Sequence, residues 1–389
     1  MKIPQGFQEL SKEAAKQISG FRKALIISHD DADGLSSASI AIEGLRRVGI
    51  ESEFFCLEKV FPEVLARVHS RKGELIIYCD IGSSHSDLIG ELDCSRNTVI
   101  ILDHHEPAGG NYDNVFDLNL ERWGIRGEAE FSGATCCYLF FKLMREENWD
   151  LSYLAVVGSL EIPDGFRGIN GDVLKEALDR GVVIRKKSKL YVKKLGIGCE
   201  ELFSILQVLG AAGYYSGGPR LGIRACLNGI DEEVGKFLKE VEELRKKANR
   251  RMLAILSKRG LRKEGRVQWF STGKIYEGMG TKVIGQFCSF LAHQRKLIDQ
   301  DKYIVGFMDV PSSIPGFGNL SEKYVKVSVR VPEGLKRRIE LGELKSAVHL
   351  LLEASREVGG IADGHQFAAS AILPKRKEDE FRKRLIELA

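Results

Sequence analysis

No apolar run in the chain approaches the roughly 20 residues that a membrane-spanning helix requires. The opening residues Met1 to Gly6 also lack the apolar core of a signal peptide. A cytoplasmic protein with no membrane partner is the expectation. The eight cysteines, at 56, 79, 94, 136, 137, 199, 226 and 288, contain no CxxC pair. That excludes a zinc ribbon and argues against a disulfide framework; most lie in apolar runs and read as small buried hydrophobes. There is no internal repeat and no low-complexity tract. A net charge of +4 is too mild to define a nucleic-acid partner by itself. What remains is a chain of 389 residues with an ordinary 43% hydrophobic content, enough for two or three domains.

The chemistry is concentrated where apolar β-type runs end. Val99 to Leu102 runs straight into Asp103, His104 and His105 and is stopped by Pro107. This pattern fits a strand buried on both faces, with proline closing the extended stretch. Ala24 to Ser28 leads in the same way into His29, Asp30, Asp31, Ala32, Asp33 and Gly34, and Glu74 to Cys79 leads into Asp80. In an open parallel sheet, ligands bind at the carboxyl ends of the strands. If these three strands are neighbours, His29, Asp31, Asp33, Asp80, His104 and His105 converge on one patch. Carboxylates packed so closely repel one another and raise each other's pKa. Divalent cations relieve this, and oxygen with imidazole suits Mn²⁺, Mg²⁺, Fe²⁺ or Zn²⁺. More ligands are present than one ion needs, which points to a two-metal site.

The pattern in order predicts an α/β chain. An amphipathic helix over 8–22 precedes the first strand, and a helix from Gly34 to about Val48 follows it. Residues 171–230 read as mainly helical, and Gly210 to Pro219 as a turn with its tyrosines packed on the surface. Asp231 to about Lys258 is a long charged helix whose apolar residues recur at helical spacing, with Glu242 and Glu243 four residues before Lys246 and Lys247. Beyond it, strand-like runs at 266–270, 303–308 and 324–330 and helices at 284–293 and 344–357 describe a smaller mixed α/β domain. The domain reading is 1–230, a linker helix over 231–262, and 263–389. Basic clusters at Arg185 to Lys187, Lys193 and Lys194, Arg245 to Lys247, Arg259 to Lys263 and Lys336 to Arg338 each fit a solvated face; together, beside a phosphoester site, they suit a polyanion.

Near the end of the chain, Gly359, Gly360, Gly364 and His365 precede the small residues Ala368 and Ala369. Glycine amides can chelate a phosphate, and His365 can donate to a phosphate oxygen. Ser328 and Arg330 share one face of a period-2 strand, placed for phosphate contact.

His29 to Gly34, Asp80, and Asp103 to His105 resemble the first three motifs of the DHH phosphoesterase superfamily. Gly359 to Ala369 is similar to the glycine–histidine motif of the DHH-associated domain paired with it. The combination is most similar to the archaeal RecJ-like single-strand nucleases, and the motifs span nearly the whole chain. The resemblance implies a parallel-sheet DHH domain joined by a long helix to a DHH-associated domain, with the active site in the cleft between them. It implies two Mn²⁺ ions bridged by Asp80, with Asp33, His104 and Asp164 on one ion and His29 and Asp31 on the other. His105 would act as general acid or as a transition-state stabiliser, and Asp103 would orient an imidazole. At the fourth motif Ile162 stands where the family has its aspartate, with Glu161 and Asp164 flanking it and Asp164 preferred. Single-stranded nucleic acid is the implied substrate, and replication or repair proteins such as a helicase the implied partners. Relatives with this site also hydrolyse short oligonucleotides, nucleotide phosphates or cyclic dinucleotides, and a eukaryotic replication scaffold resembles them without the metal ligands.

Overall fold

The structure is a computed structural model that describes residues 3–110, 112–163 and 166–389. The chain divides into two compact units, residues 1–238 with 315–317, and residues 239–314 with 318–389.

Unit 1 opens with α1 (Gln5–Ile18), four residues shorter at its end than the pattern suggested. A five-stranded parallel sheet follows, built from β1 (Lys23–His29), β2 (Glu51–Leu57), β3 (Leu75–Cys79), β4 (Thr98–Leu102) and β5 (Val115–Asp117) in the order β2-β1-β3-β4-β5. β3 is buried along its whole length, as its unbroken apolar run predicts. The crossover helices are α2 (Ala32–Arg46), α3 (Pro62–His69) and α4 (Ser86–Asp93). Their starts are set locally. Asp31 caps α2 by accepting from the Gly34 N–H, and Pro62 opens α3 with its missing N–H at no cost. Behind α3 and α4 lies a fully buried network: the His69 ring is 2.8 Å from Asp93 on one side and 2.8 Å from the Tyr78 hydroxyl on the other.

Helices α5 (Gly133–Met144) and α6 (Ser152–Gly158) are apolar almost all round and buried almost all round. Cys136 and Cys137 both lie in this core; all eight cysteines are free, and all but Cys94 are buried. Then come α7 (Gly168–Asp179), a small antiparallel sheet of β6 (Val183–Lys186), β7 (Lys189–Val192) and β8 (Ile197–Gly198), and helices α8 (Cys199–Ala211) and α9 (Gly218–Asn228). The stretch is mainly helical, as its sequence suggests, and the small sheet interrupts it between α7 and α8. Tyr214 corrects an expectation: it is 2% exposed, and its hydroxyl donates to the Cys56 carbonyl at 2.7 Å.

The chain passes into unit 2 within α10 (Glu232–Arg259). Unit 2 contains a six-stranded sheet of β9 (Arg262–Glu264), β10 (Val267–Ser271), β11 (Tyr303–Asp309), β14 (Tyr324–Arg330), β15 (Ile361–Gly364) and β16 (Ala368–Pro374), in the order β15-β16-β14-β11-β10-β9. A two-stranded pair, β12 (Ser313–Ile314) and β13 (Gly318–Asn319), interrupts it in sequence. Only β10 and β11 pair in parallel within the larger sheet. Val325, Val327 and Val329 face a core shared with α12 (Glu333–Glu340), α13 (Ala347–Arg356) and α14 (Glu378–Leu388); α11 (Lys282–Ala292) covers the other face, where Gly285 lies over Ser328 and Arg330. Among the described residues no helix is long and apolar enough to cross a membrane.

Candidate metal centre

The strand order of unit 1 reverses direction at β1, between β2 on one side and β3 on the other, and such a switch point opens a crevice at the carboxyl strand ends. His29 ends β1, Asp80 follows β3, and Asp103 to His105 follow β4. The register aligns Ser28 with Cys79 and Cys79 with Leu102, so the three tips are level. Asp80 leaves β3 with φ +60°, a left-handed conformation that aspartate tolerates better than most residues, and its N–H bonds to Leu102 O at 2.8 Å. That turn rolls its carboxylate inward.

Two groupings of ligand atoms result, His29–Asp31–Asp80 and Asp80–His104–His105, each with its atoms within 4.8 Å of one another. Asp80 belongs to both. One of its oxygens lies 3.8 Å from His29 Nδ1 and the other 3.4 Å from His104 Nε2. The second oxygen is buried without a hydrogen bond. Asp31 uses one oxygen for the α2 cap and brings the other to 2.7 Å from His29 Nδ1. Asp33 is gripped differently: its two oxygens accept the Ala134 and Gly133 N–H groups at 2.8 and 2.9 Å, at the start of α5, and one also lies 3.8 Å from His104 Nε2. Sequence reasoning missed this clamp because α5 begins a hundred residues downstream.

The rings are aimed by their rear nitrogens. His104 Nδ1 lies 3.0 Å from the Gly127 carbonyl, which can only accept, so Nδ1 carries the proton and Nε2 offers its lone pair to the site. His105 Nδ1 lies 2.7 Å from Asp103, which also accepts from the His104 N–H at 2.7 Å and the Ser83 N–H at 2.9 Å. Asn119 donates to the His105 carbonyl at 2.6 Å, and Glu121 accepts the Gly127 N–H at 2.9 Å, which fixes the loop that carries Gly127. Gly127, Gly133 and Gly158 are small of necessity: a Cβ would stand 1.9 Å from His104 O, 2.4 Å from an Asp80 oxygen and 2.4 Å from an Asp33 oxygen, respectively.

The electrostatics split the carboxylates. Burial, then the charge of Asp31, pushes Asp33 up to about 7 against its backbone hydrogen bonds. Burial, then Asp33, Asp31 and Asp103, drives Asp80 well above the carboxylate range. Burial would raise Asp103 too, but His105, His104 and the Ser83 N–H outweigh it and hold its pKa low. Asp80 and Asp33 thus carry charge only at a penalty that a cation would remove. An orphaned carboxylate oxygen among imidazoles and acids is the donor set of a hard divalent ion such as Mn²⁺ or Mg²⁺. The residues fit the group.

Asp164 lies outside the described residues. Its neighbour Glu161 accepts a hydrogen bond from Gln207. The candidates of unit 2 fall into two places. Arg330 pairs with Ala368, and Gly364 with Ala369, so Arg330, Gly364 and His365 share one end of the sheet. Arg330 is held there by Ser289 Oγ at 2.8 Å and the Val329 carbonyl at 2.9 Å. Gly359 and Gly360 precede the other end of β15, whose four residues span about 13 Å. The Gly360 N–H already bonds to Ser355 O at 3.0 Å, which closes α13 instead of offering an amide to phosphate. Ser328 is 1% exposed.

Residues 23–157, which hold all of this site except its Gly158 wall, match the DHH family, N-terminal domain. Over that stretch, about a third of the chain, the sequence is similar to the DHH phosphoesterase superfamily. A 140-residue stretch is 34% identical to an uncharacterised protein of Methanocaldococcus jannaschii, covering 34% of this chain and 31% of that protein. The single-stranded-DNA-specific exonuclease RecJ of Escherichia coli is 23% identical over 236 residues, 56% of this chain and 41% of RecJ. The chain thus spans less than half the length of these curated relatives. Its fold is RecJ-like: it matches RecJ of Thermus thermophilus, solved in complex with Mn²⁺, with a TM-score of 0.66 and 18% identity, over 98% of this chain and 54% of that one.

Proposed function

We propose that this chain is a divalent-metal-dependent phosphodiesterase acting as an exonuclease on single-stranded DNA or RNA. The observation that carries the reading is Asp80, which turns one oxygen toward His29 and the other toward His104, the disposition of a ligand shared by two cations. Asp80, His29 and Asp31 would hold one ion, and Asp80, His104 and Asp33 the other, with Asp164 as a further ligand of the latter. Divalent ions held there supply electrophilic activation of the phosphoryl group and an attacking water of lowered pKa. The chain's own groups do the rest. Asp103 fixes the proton of His105 on Nδ1, so Nε2 is the atom that exchanges a proton with the leaving oxygen. The N–H groups of Gly133 and Ala134 keep Asp33 from swinging. Arg330 and His365 would grip the backbone of the strand, with Gly364 holding the turn that presents His365.

A polyanionic substrate is also favoured by the β6–β7 hairpin. Residues 181–199 contain six cations, Arg185, Lys186, Lys187, Lys189, Lys193 and Lys194, and no carboxylate. Lys186 lies 5.1 Å over the Tyr191 ring, and Arg185 to Lys187 with Lys189 form an exposed basic ridge at the hairpin turn. The test is a side-by-side assay with Mn²⁺ on a labelled single strand, a dinucleotide and a phosphomonoester. Processive shortening of the single strand is expected. Preference for the dinucleotide would replace the exonuclease reading with a short-oligonucleotide hydrolase. Inertness on all three would favour a scaffold.

A further inference from the structure

Resting on that reading, we infer that Asp30, which lies in neither ligand grouping, is a positioning residue that orients the His29 ring toward the cation shared with Asp31 and Asp80. Each of the three imidazoles in the site has one nitrogen turned to its neighbours and one turned away. For His104 the rear nitrogen meets the Gly127 carbonyl, and for His105 it meets Asp103. For His29 the forward nitrogen is Nδ1, 2.7 Å from Asp31 and 3.8 Å from Asp80. Its rear nitrogen, Nε2, lies 3.3 Å from Asp30 Oδ1.

Asp30 has no other evident employment. It is 0% exposed, and neither of its oxygens makes a hydrogen bond. A carboxylate buried without a donor is strongly unfavourable unless it is paired. The hydroxyls that feel its charge are committed elsewhere: Tyr214 donates to the Cys56 carbonyl at 2.7 Å and Tyr215 to Glu58 at 3.0 Å. Among the described residues, the His29 ring is the basic group placed against it, with Nε2 at 3.3 Å. The backbone holds the carboxylate in this place. Gly210 of α8 approaches so closely that a Cβ there would stand 1.6 Å from the Asp30 carbonyl oxygen, and the Cys56 thiol donates to the His29 carbonyl at 3.4 Å. A carboxylate behind a ligating imidazole fixes its tautomer and raises its basicity. Asp30 therefore sets the strength of the His29 ligand without touching the ion or the substrate.

The test is calorimetric titration of Mn²⁺ into chelator-stripped, full-length protein, comparing wild type, Asp30→Asn, His29→Ala and the double variant. Asp30→Asn is expected to weaken one of the two binding steps by about 10- to 100-fold, and to add nothing further in the His29→Ala background. An Asp30→Asn affinity within twofold of wild type, or an equal loss with and without His29, would overturn the assignment. A second measurement does not depend on any variant folding. Nitrogen NMR of the wild-type histidines in the Mg²⁺-loaded protein should show His29 protonated on Nε2, beside Asp30, and bare on Nδ1, and the opposite tautomer overturns it. Failure of the proposed function has its own signature, wild-type protein that takes up no manganese, and the Asp30 role falls with it.

Discussion

Replacing Asp80 by asparagine should strengthen the metal-free fold while abolishing Mn²⁺-dependent cleavage. Asparagine keeps the shape and tolerates the left-handed backbone at this position. It removes the charge at the centre of a buried acidic cluster. In the metal-free protein, Asp33 rises from an ordinary 3.8 to about 7, and Asp80 rises in the same direction. Between those pH values the native state binds more protons than the unfolded chain, so stability must fall as pH rises through this window. At about 1.4 kcal/mol per pH unit, Asp33 alone sets a ceiling of about 4 kcal/mol for that loss. Removing the Asp80 charge should recover on the order of 1–2 kcal/mol at pH 8, the usual gain from relieving a functional site. The gain should shrink to nothing near pH 4, where the wild-type carboxyl is protonated. Urea unfolding in chelator at pH 4, 6 and 8 reads this directly. An Asp80→Asn protein that is less stable than wild type at pH 8 would show that the carboxylate is satisfied as it stands, and the electrostatic case for a cation would fail.

Asp103→Asn should lower kcat by about 10²–10⁴, because an amide cannot hold His105 as the carboxylate at 2.7 Å does; manganese stoichiometry should persist, and lost metal with retained turnover would exchange the roles of the two residues. Gly133→Ala places a Cβ 2.4 Å from an Asp80 oxygen; a loss of about 1–3 kcal/mol in unfolding experiments and weaker manganese binding are expected, and unchanged values for both would contradict the close approach. Tyr214→Phe removes a buried 2.7 Å hydrogen bond to the Cys56 carbonyl and should cost about 0.5–1.5 kcal/mol in urea denaturation, whereas a surface tyrosine would cost nothing.

The parallel sheet and the residues at its tips were legible because buried strands have no polar interior: Leu75 to Cys79 and Val99 to Leu102 announce themselves by composition, and their first polar residues fall at the site. What supports those residues was not legible. The N–H groups that clamp Asp33 belong to Gly133 and Ala134, and backbone donors leave no mark in side-chain identity. Gly127 acts through its carbonyl and is equally silent. The β6–β7 hairpin was hidden by lysine and arginine, which favour helices, and by a turn at Lys187 with φ +55° where the usual Asn-Gly signal is absent. Gly359 and Gly360 were ambiguous for the converse reason: a glycine pair fits phosphate chelation and a helix-to-strand corner equally well, and the Gly360 N–H serves the corner.

The loop from Asn119 to Phe131 has a further consequence. Its start and its middle are tied to both histidines, through the bonds of Asn119 to His105, Glu121 to Gly127, and Gly127 to His104. Such a loop works as a gauge of fixed length. Inserting or deleting even one residue there would shift a carbonyl and retune the imidazole resting on it, so natural length variation among homologous chains should be confined to other loops of unit 1.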